Sequence, residues 1–295
     1  MTPTATPLET IALSAPGPAG SPSGARAWIA PRRGALVTRF TVGERQVLFL
    51  DEATLLDEKK NVRGGVPILF PSPGKLAGDR WARGGRSGAL GQHGFARSLP
   101  WEVVTQGPAE AALSLLSSAE TRANFPWEFR LDFRFALRVA PTGAVLRIEQ
   151  RMHNPGAEAL PFGCGFHPYF FVPQAEKAGA RIVTGATRAF DNAGKREVSL
   201  NGPIDLTAAE VDLHLEDHAS SRATLALADG ARVEVSGSLE LQRWVVWTLA
   251  GKEFVCLEPW SGPADGLNTG AGLLEVAAGG TRELWTEIAF HAPPG

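Results

Sequence analysis

The chain has 295 residues with 29 basic and 31 acidic side chains, a net charge of −2 and a pI near 6.3. No global field would draw in a polyanion, so nucleic acid is not an expected partner. Hydrophobic residues make up 44% and charged residues 20%, which is enough for a large core and too little charge for a disordered chain. The 33 glycines and 22 prolines exceed average usage of roughly 7% and 5% without a G-X-Y period, so turns are frequent and collagen is excluded.

No apolar stretch approaches the roughly 18 residues of a membrane span. The first residues lack both a basic n-region and a sustained apolar h-region. The expectation is a cytoplasmic protein with no membrane partner, in which Cys164 and Cys256 are reduced, semi-buried thiols rather than a disulfide.

In chain order, Ala15 to Gly24 (APGPAGSPSG) reads as a surface turn or a loose arm. Residues 1–34 are expected to be an N-terminal arm or edge strand ahead of a single domain over 35–295. From Ala35 onward the hydrophobic period is two. Strand candidates are Thr38–Phe40, Gln46–Leu50 and Trp101–Thr105, followed by the clearest, Trp127–Val139. There Trp127, Phe129, Leu131, Phe133, Phe135, Leu137 and Val139 are apolar, while Glu128, Arg130, Asp132, Arg134 and Arg138 interleave with them. Such alternation buries one face of an antiparallel strand and wets the other.

Val145–His153 follows after a Pro141–Gly143 turn, which predicts a hairpin. Arg232–Val235, Trp244–Leu249, Phe254–Glu258 and Leu284–Phe290 complete the set. Only Ala208–Leu215 offers a turn or two of helix. Many strands and few helices predict one all-β domain, a sandwich or barrel.

Three segments carry chemistry beyond strand and turn. Arg63–Lys75 (RGGVPILFPSPGK) with Gln92–Arg97 (QHGFAR) supplies Arg63, Lys75, Gln92, His93 and Arg97 beside glycine turns. Gly163–Phe171 (GCGFHPYFF) embeds His167 among aromatics, two residues before the only tyrosine, Tyr169. Phe254–Pro263 (FVCLEPWSGP) ends an apolar strand on Glu258 before a proline. Such a carboxylate must be paired, with Arg243 or Lys252 as candidates, or employed in chemistry.

Two histidines and a carboxylate are a plausible catalytic zinc set, but no H-E-x-x-H spacing supports one. A glycosidase would need a second distinctive carboxylate. The chain also lacks a G-x-S-x-G elbow, a phosphate loop and a dinucleotide fingerprint. One carboxylate and one imidazole suit acid–base isomerisation, in which one group removes a proton as the other delivers one. Opening a cyclic sugar needs this exchange. This chemistry asks for an ionised Glu258 and an at least partly protonated His167 near neutral pH, and a nearby carboxylate is expected to favour the imidazolium, offsetting the burial that disfavours it.

The pieces RGGVPILFP, QHGFAR with LPWE at Leu99–Glu102, GFHPYF at Gly165–Phe170, EVDL at Glu210–Leu213, and CLEPW with GLNTG at Cys256–Gly270 occur in this order over roughly Ala35 to Phe290. Together they resemble the aldose 1-epimerase (galactose mutarotase) superfamily, and within it the group of hexose-6-phosphate mutarotases and bacterial aldose epimerases. The resemblance implies a large antiparallel β-supersandwich with a sugar groove on a concave face. It implies His167 as general acid on the ring oxygen, Glu258 as base on the anomeric hydroxyl, and His93 as a donor near the ring oxygen. Asp212, with Glu210 as its neighbour, would hold sugar hydroxyls.

Arg63 and Arg97 match phosphate-binding positions of the sugar-phosphate members, with Lys75 as a third cation. The implied partner is a free or phosphorylated hexose, the assembly a monomer or homodimer, and no metal or organic cofactor is implied. The alternatives are a non-catalytic sugar-binding or sugar-sensing sandwich, and a polysaccharide-processing enzyme for which Tyr169 is the only available tyrosine.

Overall fold

The structure is a computed structural model that describes residues 8–17 and 24–294. The centre of the Ala15–Gly24 turn lies outside the described residues, as does the start of the chain. Every strand pairing is antiparallel, apart from a single parallel bridge between Phe70 and Gly94. Two large sheets dominate. The first runs Arg181–Val183, Arg222–Ala226, Arg232–Gly237, Thr281–His291, Gly143–His153, Arg130–Ala140, Glu110–Leu116 and Glu102–Gln106.

The second runs Arg196–Ser199, Arg188–Asp191, Glu210–Leu215, Arg243–Leu249, Phe254–Trp260, Gly165–Phe166 and Ile68–Leu69, with Tyr169–Phe171 also paired to Phe254–Trp260. A smaller sheet of Ile11–Ala15, Ala25–Ala30, Leu36–Val42 and Arg45–Gln46 completes the sandwich. This is the all-β antiparallel sandwich that the resemblance implies. Ile11 and Leu13 are buried in the same apolar cluster as Phe40 and Leu146.

The alternation in Arg130–Ala140 translates directly into packing. Leu131, Phe133, Phe135 and Leu137 are buried, whereas Arg134 projects outward to Glu110 and Glu149. The hairpin to Gly143–His153 pairs Ala140 with Gly143 around Pro141 and Thr142. Phe135, Leu146, Ile148 and Ile288 of the first sheet share one cluster with Trp244, Val246, Val255 and Leu257 of the second.

Several boundaries differ from expectation. Trp127 and Phe129 precede the strand, which starts at Arg130, and are buried; Trp127 packs on Phe125 and Trp81 with ring centroids 4.8 and 5.4 Å away. Glu210–Leu215 is a strand and not a helical turn, because it is held on both edges by Arg188–Asp191 and Arg243–Leu249. Past Gln46, Leu48 and Leu50 make only single bridges, to Phe170 and Gly64. Pro259 does not end its strand, which continues to Trp260. It lies beside the break between Gly165–Phe166 and Tyr169–Phe171, where no ladder bond is lost.

The thiols are unpaired and buried rather than semi-buried: Cys256 lies on the inner strand Phe254–Trp260, and Cys164 lies in the link between Leu160–Phe162 and Gly165–Phe166. Burial pushes Cys164 up to about 12 and Cys256 well above the ordinary thiol range. No helix among the described residues is long and apolar enough to cross a membrane.

The inward face sets stability. Phe135→Ala should cost about 3–5 kcal/mol through lost transfer and a cavity, whereas Arg138→Ala on the wet face should cost less than about 1 kcal/mol. Denaturant unfolding of both variants checks the assignment, and equal losses would contradict it.

Candidate active site

Three adjacent strands of the second sheet present one face to a groove of about 350 Å³. Strand periodicity puts Glu210, Asp212 and His214 on that face, then Val245 and Trp247, then Glu258 and Trp260. Pairing aligns them in rows: His214 lies opposite Val245, and Val245 opposite Glu258. In the next row Asp212 lies opposite Trp247, Trp247 opposite Cys256, and Cys256 opposite Tyr169.

The position of His167 follows from the same register. Gly165 pairs with Trp260 and Tyr169 with Cys256, so counting across the break sets His167 opposite Glu258. At that break the His167 amide donates to the Pro67 carbonyl instead of to the sheet. Its Nε2 stands 3.4 Å from Glu258 Oε1, with the side chains 10% and 1% exposed. Glu258 Oε2 accepts a hydrogen bond from Trp260 Nε1 at 3.1 Å. Neither Arg243 nor Lys252 pairs with this carboxyl group, so the structural ion pair considered from sequence does not form.

Burial decides the protonation of the pair. It pushes Glu258 well above the ordinary carboxylate range, and the nearby Asp212 charge adds to the shift. Burial drives His167 down to about 3, assisted by Arg97. The expectation of an imidazolium beside an ionised glutamate is therefore overturned for the empty groove. Desolvation is the larger influence on both groups and favours the neutral pair, with the proton on Glu258.

His93 occupies a left-handed backbone conformation with φ of 69°. Its Nδ1 accepts the Gly74 amide at 3.0 Å, which leaves the ring proton on Nε2 and makes that atom a donor. Burial lowers this histidine well below its usual range, and the nearby Arg97 charge adds to the effect. Gly94 follows with φ of 70°, and a Cβ there would lie 2.1 Å from the Phe70 carbonyl oxygen. The HGF turn thus needs its glycine. The His93 ring meets those of His167 and Trp260 edge-on at 5.4 and 5.6 Å, while His167 stacks on Tyr169 at 4.7 Å.

All eight residues singled out in the sequence, Arg63, Lys75, Gln92, His93, Arg97, His167, Asp212 and Glu258, line this groove. They contribute differently. The Arg97 guanidinium donates to the Gln92 carbonyl at 2.8 Å, its Nε has no partner among the described residues, and burial lowers its pKa. Arg63 is exposed and lies over the Trp247 ring at 5.9 Å. Lys75 is exposed and 3.9 Å from Asp79. The Gln92 side chain is at the exposed rim.

Burial alone would raise the Asp212 carboxyl, but hydrogen bonds from His214 and Asn192 lower it overall. Its oxygens lie 3.5 Å from His214 Nε2 and 2.6 Å from Asn192 Nδ2. Asn192, His214, Trp247 and Trp260 are groove residues that the sequence reading did not assign. His214 was detectable, because it continues the alternation begun by Glu210 and Asp212. Asn192 follows a strand and carries no local signal. The zinc set weighed from sequence included His93, but the donors that converge are His167, Cys256 and Glu258.

The aldose 1-epimerase family model matches residues 23–289. The chain belongs to that family. Among solved structures, the Slr1438 protein from Synechocystis sp. PCC 6803 is 39% identical with a TM-score of 0.86, over 91% of this chain and 92% of that one. A galactose mutarotase-like protein from Lactobacillus casei shares the fold at 21% identity and a TM-score of 0.73, over 95% of this chain and 100% of that one. A protein of Salmonella typhimurium named "Putative glucose-6-phosphate 1-epimerase" is 32% identical over 44% of this chain and 40% of its own length. The chain spans about two fifths of the length of the first curated relatives it matches, 38% and 40%.

The buried groups make stability depend on pH in opposing ways. The folded chain keeps His93 and His167 neutral where the unfolded chain protonates them, so their contribution is present above pH 6.5 and is lost as pH falls below it. Glu258 stays protonated on folding whereas the unfolded chain ionises it above 4.5, so its contribution declines as pH rises above that value. Glu258→Gln removes the second effect. Its Tm should exceed the parent's at pH 8, with the difference shrinking toward pH 5. A variant less stable than the parent at pH 8 would show that Glu258 is ionised and stabilising there.

Proposed function

We propose that the protein is an aldose 1-epimerase that interconverts the anomers of a hexose by acid–base ring opening. The observation that carries this reading is the buried His167–Glu258 pair, which faces a polar groove with no competing cation on the carboxyl group. The pair holds one exchangeable proton, and its ionic form, carboxylate and imidazolium, is the reactive one. The Trp260 N–H and the field of Arg97 favour the carboxylate, while Asp212 favours the imidazolium. Hydroxyl donors of a bound sugar add to the first of these.

In the reaction Glu258 takes the proton of the anomeric hydroxyl as His167 gives one to the ring oxygen. The C1–O5 bond breaks and C1 becomes an aldehyde. The pair is then neutral, the same proton state that burial favours in the empty groove. Rotation about C1–C2 presents the other face of the aldehyde. Reclosure returns the proton from Glu258 to the carbonyl oxygen while His167 recovers one from the O5 hydroxyl. His93, fixed as a neutral Nε2–H donor, supports the ring oxygen without competing for the proton. Asp212, oriented by His214 and Asn192, accepts from sugar hydroxyls, and Trp247 and Trp260 wall the groove.

The substrate class is a hexose, free or phosphorylated. The half-buried Arg97, whose guanidinium meets only a carbonyl, and the nearby Arg63 support a phosphate at that end. The name of the Salmonella relative points the same way.

Anomer exchange measured by NMR with glucose, galactose and glucose 6-phosphate tests the reaction and its substrate together. Glu258→Gln and His167→Gln should each lower the catalysed rate by about 10²–10⁴-fold. Arg97→Gln should raise KM for the phosphorylated sugar more than for the free one. Exchange at the parent rate in Glu258→Gln would refute the mechanism. A sugar that binds without faster exchange would instead support a sugar-binding module.

A further inference from the structure

His167 and Glu258 of the groove, with the buried Cys256 beside them, bring together three chemically different metal donors. An imidazole nitrogen of His167, Cys256 Sγ and a carboxylate oxygen of Glu258 all lie within 4.8 Å of one another, and all three residues are buried. Cys256 and Glu258 are two residues apart on one strand and so face the same side. His167 meets them from the neighbouring strand break. We propose that this trio is a site for a thiophilic divalent cation, Zn2+ above all, and that a cation bound there inhibits the enzyme by occupying its acid and base.

The edge between the imidazole and the carboxylate has the length that tetrahedral coordination needs. With Zn–N near 2.0–2.1 Å and Zn–O near 2.0–2.2 Å, the nitrogen–oxygen edge of a tetrahedron is about 3.4 Å. His167 Nε2 and Glu258 Oε1 are 3.4 Å apart, longer than a good hydrogen bond. The His167 Nδ1 has no hydrogen-bond partner among the described residues, so no hydrogen bond through that atom fixes the ring. Thiol and imidazole donors select zinc over magnesium or calcium, which prefer oxygen sets.

Three protein ligands leave a fourth position for water. Binding would release the protons held by Cys256 and Glu258. His167 and Glu258 line the groove, which is therefore the entry path. A cation bound to Glu258 and His167 withdraws the lone pairs that ring opening requires, so inhibition should be competitive with sugar.

The inhibitory part of the proposal rests on the epimerase reading, but the binding part does not. Titration of the apo protein with Co2+ should therefore yield a near-ultraviolet thiolate-to-metal absorption band at one equivalent. Zn2+ should displace it. Cys256→Ser should abolish the band and weaken Zn2+ binding, measured against a chromophoric chelator, by at least about tenfold. Cys164→Ser should leave both unchanged.

In the parent protein a saturating sugar should suppress the band, a check that needs no variant to fold. Absence of a band in the parent, or its persistence in Cys256→Ser, would overturn the site. A band with undiminished anomer exchange in a Zn2+-saturated enzyme would overturn the inhibitory role. If no sugar exchanges at all, the band still decides the metal site, and only the epimerase reading falls.

Discussion

The organising constraint is a carboxyl group placed inside the second sheet without a cation to balance it. Ionised, Glu258 would carry a desolvation penalty of several kcal/mol. The chain answers by leaving the group protonated beside a neutral imidazole and by giving its other oxygen an indole N–H. Burial therefore favours a pair that shares one proton and carries little charge. The same arrangement costs stability at high pH, a familiar trade between a site's chemistry and the robustness of its fold.

That arrangement depends on register. A slip of one residue along Phe254–Trp260 would turn Cys256, Glu258 and Trp260 into the core and bring Val255 and Leu257 into the groove. The apolar residues on the reverse of the strand, which belong to the same core cluster as Phe135, Ile148 and Ile288, prevent it. The interruption at His167 and Pro168 is equally important. It frees one residue from the ladder directly opposite Glu258, and it gives Pro259 a place in a central strand.

The long strands were legible because their inner faces are continuous: the run from Leu131 to Val139 declares one buried side without any tertiary information. Short elements were not. Ser118 and Thr121 form a capping box, but the helix of six residues that follows is too brief to show a helical stripe. Glu210–Leu215 was ambiguous for the same reason, and its neighbours on both edges decide it.

In the site, the motif residues converge as a family resemblance would lead one to expect. Asn192 and the role of Cys256 emerge only when distant strands are side by side. Sequence shows both influences on the pair, a carboxylate next to a histidine and an apolar setting, but not the depth of burial, which makes desolvation the larger of the two.

Infrared spectroscopy of the carboxyl region tests this account most directly. At pH 7 without sugar, the parent protein should show the C=O stretch of a protonated carboxylic acid that is missing from Glu258→Gln, and saturating hexose should diminish it. A parent spectrum with only carboxylate bands at pH 7 would mean that Glu258 is ionised at rest, contradicting the neutral pair on which the account is built.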